Sequence, residues 1–248
     1  GYGTNIAAPA MPVVIAHNMT FMGLFALDIN EEFKYPKYFS MLPVGPDPRP
    51  AISEGFFNIV KQYKDKLGLK TMALAVGDGE ATRNGADGAR RNAKEAGIDL
   101  VYDKTYPLNT ADFSPIIRAI QATNPDIVYL SSYPNDSVGF IRSVHEMGLN
   151  TKIFGGSPTG PQSTSIKMSL GSMLNGLSTF DWWLPAPALQ FPGVMELMKK
   201  YQERAPKEGV DPLGYYLGPW AYADLQVLGE AVNETKSLDQ DKIADYIR

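Results

Sequence analysis

No cysteine occurs in the 248 residues, which excludes disulfides, thiolate nucleophiles and Cys-ligated metals outright. Only two histidines are present, and no HExxH pair accompanies them, so a zinc site would need carboxylates at a matching spacing. The chain also lacks a GxSxG nucleophile elbow, a GxGxxG fingerprint and a GK[ST] phosphate loop. No apolar run approaches the roughly 20 residues of a membrane helix. No Lys/Arg cluster interrupts a balance of 23 basic and 27 acidic residues, net charge −4. That balance argues against nucleic acid or an anionic membrane as partner, since both reward basic patches. The N-terminus shows no basic stretch followed by an apolar core of the signal-peptide kind. The opening GYGTNIAAPAMPVVIAHN reads as the end of one unit and the start of another, as if the chain begins inside a domain.

What is present is an ordinary globular mixture, 44% hydrophobic and 20% charged, long enough to bury a sizeable core. Its middle alternates short apolar runs with amphipathic ones. TMALAV (71–76), IDLVYD (98–103), DIVYLSS (126–132) and KIFGG (152–156) read as strands. Between them, residues 84–97, 114–123 and 136–148 read as helices, with Gly97 after the first and Ser114-Pro115 opening the second as N-cap and first helical residue. Strand-helix-strand repetition at this pace implies right-handed crossovers and a parallel sheet. On the flanks, MPVVIAH (11–17) and YPKYFSML (35–42) read as strands and 46–68 as a helix past its prolines. A tail of three helical stretches follows at 193–204, 214–234 and 239–248.

A helix-rich tail without strands needs sheet partners elsewhere. The simplest organisation is two lobes: residues 44–180 as one α/β unit, and 1–43 joined with 181–248 as another. The chain would cross between them near SMLPV and FDWWLPAP. Small ligands bind in such a cleft, at the carboxyl ends of the strands.

Few groups suit catalysis. His145 sits in a helix beside Glu146 and reads as a solvated or packed residue. His17 closes the expected strand VVIAH at the end where ligands dock, which makes it a contact rather than a base. GDGEATRNG (77–85) has glycines after a strand, but Asp78 and Glu80 stand where phosphate charge would gather. Three N-x-[ST] matches, at 18, 135 and 233, are no more than chance gives. Most of the 13 Tyr, 11 Phe and 3 Trp must be core, and GYYLGPWAYADLQVLGEAV (214–232) reads as a core helix. Two places stand apart. In strand geometry Trp182 and Trp183 face opposite sides, so one could face the cleft. Tyr133 sits at the tip of DIVYLSSYP.

The segments PVVIAHN, YPKYFSMLP, GIDLVYDKTYPLNTADFSPIIRAIQATNPDIVYLSSYPNDSVGFIRSVHEMGLNTKIFGG and DPLGYYLGPWAYADLQVLGEAV resemble the periplasmic substrate-binding proteins of branched-chain amino-acid ABC transporters, over essentially the whole chain. The resemblance implies a two-lobed type I periplasmic-binding fold of class α/β, each lobe a mostly parallel sheet flanked by helices, the first lobe incomplete because both ends are truncated. It implies a non-enzymatic, extracytoplasmic (periplasmic) solute receptor without a cofactor, neither membrane-inserted nor bound to nucleic acid. Such a receptor closes on a small molecule and meets a membrane permease. A sensor domain of a signalling protein on the same fold is the alternative.

Position by position, the resemblance points to Thr4 in the GYGT loop and to His17, Asn18 and Met19 in the turn AHNM as partners of a ligand carboxylate. It makes Tyr133 an aromatic contact. The family's tyrosine after the second lobe's first strand falls at Ala81 or Thr82, and the acidic residue that pairs with a ligand ammonium falls at Ser157. A buried ammonium without a charged partner costs on the order of 2 to 5 kcal/mol. Either Asp78, Asp136 or Asp181 takes that role, or the ligand is an organic acid without an ammonium, aromatic or branched, stacked on Tyr133 and one of Trp182 and Trp183.

Overall fold

The computed structural model describes residues 3–24, 26, 29–42, 45 and 47–248. The expected crossing at residues 43 and 44 lies outside them. The centre of the chain follows the sequence pattern closely. Strands β3 (Thr71–Gly77), β4 (Asp99–Tyr106), β5 (Ile127–Ser132), β6 (Ile153–Pro158) and the short β7 (Leu177–Ser178) form one sheet in the order β4-β3-β5-β6-β7. Every pairing in it is parallel. The crossovers are α4 (Glu80–Glu95), α5 (Ser114–Thr123) and α6 (Pro134–Glu146), and α3 (Pro48–Leu67) precedes β3.

Period-two alternation builds two cores from these strands. Met72, Leu74 and Val76 of β3 and Ile127 and Tyr129 of β5 pack with Phe56, Phe57 and Val60 of α3 and the alanines of α4. The intervening Ala73, Ala75, Val128 and Leu130 pack on the opposite face with Phe113, Ile117, Ile120 and Phe140. Both faces are therefore covered, as a parallel sheet requires. Ser114 opens α5, but its amide donates to Asp112 Oδ1 at 2.8 Å. The side-chain cap therefore comes from Asp112 rather than from Ser114.

The flanks hold the main departure. Residues 11–17 are not a strand. Residues 11–16 belong to α1 (Thr4–Ala16), which carries Pro9 and Pro12 inside it, and His17 is its C-cap. An apolar run such as PVVIA carries no clear period, so strand and helix cannot be told apart from hydropathy. Packing settles the choice: Ala7 and Met11, four residues apart, are fully buried while Val13 is 60% exposed, a helical spacing. The strands of this region are β1 (Phe21–Gly23) and β2 (Tyr38–Ser40), paired parallel in a sheet of their own, with the short α2 (Ile29–Phe33) between them. Ala7, Met11, Ala26, Ile29 and Tyr35 form its core. The tail is helical as expected: α8 (Val194–Glu208), α9 (Gly218–Thr235) and α10 (Gln240–Ile247). The further helix α7 (Thr164–Leu170) precedes β7 and was not foreseen.

Two local features tie the sheet to its surroundings. Asp126, before β5, accepts from the Lys70 amide (2.8 Å), the Thr71 amide (3.1 Å) and the Thr71 hydroxyl (3.2 Å), and pairs with Lys152 at 2.7 Å. Burial opposes its charge, but Lys152 and the backbone donors outweigh burial and hold the carboxyl at about 2. At Gly155, any Cβ would run into the Ser178 carbonyl of β7, so the β6–β7 contact requires glycine.

Asp126→Asn should lower stability by about 2 kcal/mol at neutral pH, as loss of charge-assisted hydrogen bonds does. Because the folded pKa is depressed from 3.8 to about 2, the wild-type contribution is present above pH 4 and fades as pH falls towards 2. Urea titrations at several pH values should show that acid limb flattened in the variant. Gly155→Ala should cost about 1–3 kcal/mol by overpacking, read from the urea midpoint.

Candidate functional site

Three neighbouring strands end side by side in polar residues. β5 closes with Ser131 and Ser132, β6 with Ser157 and Pro158, and β3 with Gly77. Along one face of β5 the order is Ile127, Tyr129, Ser131, so a column that is apolar in the core becomes a hydroxyl at its last position. Register sets Ser131 directly opposite Ser157.

A cleft opens over these tips. Its floor and near wall are Thr82, Gly85, Ser131, Ser132, Ser157 and Thr159, with Ala81 and Ile52 beside them. The rest of the lining is Gly3, Phe180, Trp182, Tyr216 and, beside the start of α4, the ring of Tyr133. Lining therefore comes from seven separated stretches of the sequence. Tyr133 is the residue before α6, where β5 gives way to helix. A side chain at Gly79 would collide with its ring, so Gly79 lets the ring lie against the start of α4. Trp182 packs edge-on against Phe180 at 4.8 Å and against Trp220 at 6.4 Å between centroids.

The hydroxyls at the floor form a directed network. Tyr129 OH, fully buried and pushed up to about 12 by burial, donates to Ser157 Oγ at 3.3 Å. Ser157 Oγ donates to Ser131 Oγ at 3.2 Å, and Ser131 Oγ donates to the Thr82 carbonyl at 2.9 Å. Thr82 Oγ1 donates to the Gly77 carbonyl and lies 2.8 Å from that of Gly79.

No Asp, Glu, Lys, Arg or His is among the described residues that line this cleft. Of the three carboxylates considered as ammonium partners, Asp78 pairs with Arg83 at 2.6 Å and Asp181 with Lys167 at 3.1 Å. Asp136 is buried and accepts from Tyr106 OH at 2.7 Å. Burial raises the Asp136 carboxyl above its usual range, against the pull of that hydrogen bond.

The structure brings four of the sequence-derived positions to the cleft: Thr82, Tyr133, Ser157 and Trp182. Thr4 adjoins it, next to Gly3 at the start of α1, and its Oγ1 is buried with no hydrogen-bond partner among the described residues. His17, Asn18 and Met19 are not brought there. With residues 4–16 helical, these three stand at the opposite end of α1, about 20 Å from Thr4 at 1.5 Å per residue. Asn18 instead donates to Asp241 at 3.4 Å and accepts from Lys37, which pairs with Asp241. The Met19 carbonyl accepts from Tyr35 OH at 2.9 Å. The chain segment beside Gly3 is the end of β1: the Gly3 amide donates to the Leu24 carbonyl at 2.8 Å. Ile52, Thr159, Phe180 and Tyr216 escaped the sequence reading. Ser131 and Ser132 could have been found, since they precede Tyr133 at a strand tip, whereas Ile52 and Tyr216 arrive from a helix and a loop that carry no such signal.

Among the described residues no group of three or more His, Cys, Asp or Glu could hold a metal ion, and no helix is long and apolar enough to cross a membrane.

Comparison with known proteins agrees with this geometry. The periplasmic binding protein family model matches residues 1–248. Leu/Ile/Val-binding protein homolog 7 of Brucella abortus (strain 2308) is 30% identical over 149 residues, 59% of this chain and 36% of that protein. Homolog 8 of the same strain is 27% identical over 160 residues, 63% and 38% respectively. The chain thus spans well under half the length of these curated relatives. A leucine binding protein from Thermotoga maritima MSB8 superposes with a TM-score of 0.79 at 18% identity, covering 100% of this chain and 67% of that one. A solute binding protein of an ABC transporter from Rhodopseudomonas palustris BisB5, solved with 3,4-dihydroxy benzoic acid, gives 0.70 at 18%, covering 98% and 63%. At such identities these likenesses carry the fold, which is the type I periplasmic-binding fold. With the family model matched along its whole length, the chain belongs to the periplasmic binding protein family.

Proposed function

We propose that this chain is the ligand-holding part of an extracytoplasmic solute receptor of an ABC importer. In this reading residues 1–43 with 181–248 form one lobe and 44–180 the other, and the lobes close on a small carboxylate-bearing molecule. The closed form is then what a membrane permease recognises, selected through its higher affinity for ligand. The observation that carries the reading is the cleft itself. It is assembled from stretches spread between Gly3 and Tyr216 over the polar ends of parallel strands, the place where this architecture takes ligands.

The chemistry of the lining narrows the ligand class. The carboxylate belongs at the Thr4 end, where an unpartnered buried hydroxyl sits at the amino terminus of a 13-residue helix, a favourable place for an anion. His17, Asn18 and Met19 have no part in this version. At the Ser157 end no carboxylate is among the described lining residues, and the three candidates Asp78, Asp136 and Asp181 are engaged elsewhere. An organic acid without an α-ammonium fits better than an amino acid, with Phe180, Trp182 and Tyr133 supplying aromatic walls for a flat or branched body.

Thermal unfolding with added acids tests the class. Benzoate or 4-methylpentanoate at 100 times its dissociation constant should add about 2.7 kcal/mol of stability, and leucine or valine should add little. Stabilisation by leucine or valine but by neither acid would overturn the organic-acid assignment. Trp182→Ala should weaken binding of the stabilising acid about tenfold, roughly 1–2 kcal/mol of lost aromatic contact, measured by calorimetry.

A further inference from the structure

The floor of the cleft carries information in its hydroxyl protons. Each hydroxyl has one proton and two lone pairs, and backbone carbonyls can only accept, so the direction of the network is fixed wherever it ends on a carbonyl. Ser131 ends on the Thr82 carbonyl, so the bond between Ser157 and Ser131 must run from Ser157, and the proton of Tyr129 goes to Ser157. On the other side Ser137 donates to the Tyr133 carbonyl at 2.6 Å, so Ser132, 2.6 Å from Ser137, donates to it. Thr159 donates to the Ser132 carbonyl at 2.9 Å. Thr82 is likewise committed to a carbonyl.

Every Ser and Thr proton at the floor is therefore held by the protein. What the floor retains is lone pairs: one on Ser157, one on Ser131, one on Thr82, whose other accepts from the Gly79 amide, and those of Ser132 and Thr159. We infer that this surface selects for a hydrogen-bond donor on the ligand, a neutral hydroxyl at the end remote from the carboxylate. This rests on the reading of the chain as a receptor for small acids and sharpens it. The donor is neutral because the described lining offers no carboxylate to balance a cation. The ligand is then polar at both ends and apolar between, an acid at Thr4 and a hydroxyl at Ser157.

Two sets of three acids separate this from simple shape selection. One is benzoate, 4-hydroxybenzoate and 4-methoxybenzoate; the other is pentanoate, 5-hydroxypentanoate and 5-methoxypentanoate. The methoxy compounds keep the oxygen and lose the proton. By calorimetry on the full chain, the hydroxy acid of at least one set should bind about tenfold or more tighter than both its partners, since an acceptor left unpaired in a buried site is costly. Ser131→Ala then supplies the decisive readout. Without Ser131 the Ser157 proton has no acceptor and turns to the ligand, so the preference for hydroxy over methoxy should collapse or invert. Ser157→Ala, which removes the acceptor itself, should act in the same direction and covers the case in which the first variant fails to fold. A steric effect would weaken all members of a set alike and leave the ratio in place. Equal affinity for hydroxy and methoxy acids, or a ratio unchanged in both variants, overturns the inference while leaving the receptor reading intact. Binding of leucine with none of the six acids means that the floor takes an ammonium and overturns it too. Binding of none of these molecules overturns the receptor reading and the inference together.

Discussion

The commitment of hydroxyl protons to backbone carbonyls at the strand ends is the constraint on which the cleft depends. It arises because β3, β5 and β6 are parallel neighbours buried on both faces. Parallel register brings their carboxyl ends to one edge, where the last carbonyls lose their ladder partners. Those carbonyls must be satisfied where the surface is buried, and an unsatisfied buried acceptor costs about 1–3 kcal/mol. Thr82 meets this need at the Gly77 carbonyl of β3 and Thr159 at the Ser132 carbonyl of β5, while Ser137 and Ser131 donate to the carbonyls of Tyr133, just past β5, and of Thr82, in α4. The same bonds that finish the sheet decide which half of each hydroxyl faces the ligand.

The sheet was legible because its signal is redundant. Met72, Leu74 and Val76 alternate with Ala73 and Ala75 across two cores, and each strand is followed by an amphipathic helix of ordinary length. The first 40 residues were not legible for the opposite reason. PVVIA is apolar at every position, so neither a period of two nor one of 3.6 emerges, and two prolines argue against a helix that nonetheless forms. One misassigned element then moved three site residues. A strand over 11–17 puts His17, Asn18 and Met19 at a cleft edge; a helix over 4–16 carries them about 20 Å off, where Asn18 meets Lys37 and Asp241 and Met19 meets Tyr35.

Trp182 and Trp183 illustrate a different kind of legibility. The strand geometry that set them on opposite sides is absent: β7 ends at Ser178. Their environments differ all the same. Trp182 lines the cleft, whereas Trp183 is buried with Val194 and Met198, its indole N–H donating to the Leu189 carbonyl at 2.8 Å. The two neighbouring side chains diverge here without a ladder. Tyr216 and Ile52, by contrast, reach the cleft only through packing of elements remote in sequence, and no local pattern encodes that.

Asp136 shows how the site keeps charge near without exposing it. It lies in the first turn of α6, where the helix dipole favours an anion, yet it is 4% exposed and bonded to the buried Tyr106 hydroxyl. Burial raises its carboxyl, which favours the neutral acid over the anion. Gly77 lies close enough that a Cβ there would meet Asp136 Oδ2, so this carboxyl sits beneath the tip of β3 rather than in the lining. A ligand ammonium would need it turned upward, at the expense of the Tyr106 bond and against the packing at Gly77. A neutral hydroxyl resting on Ser157 and Ser131 asks for no such rearrangement, which is why the polarity of the floor favours an uncharged donor.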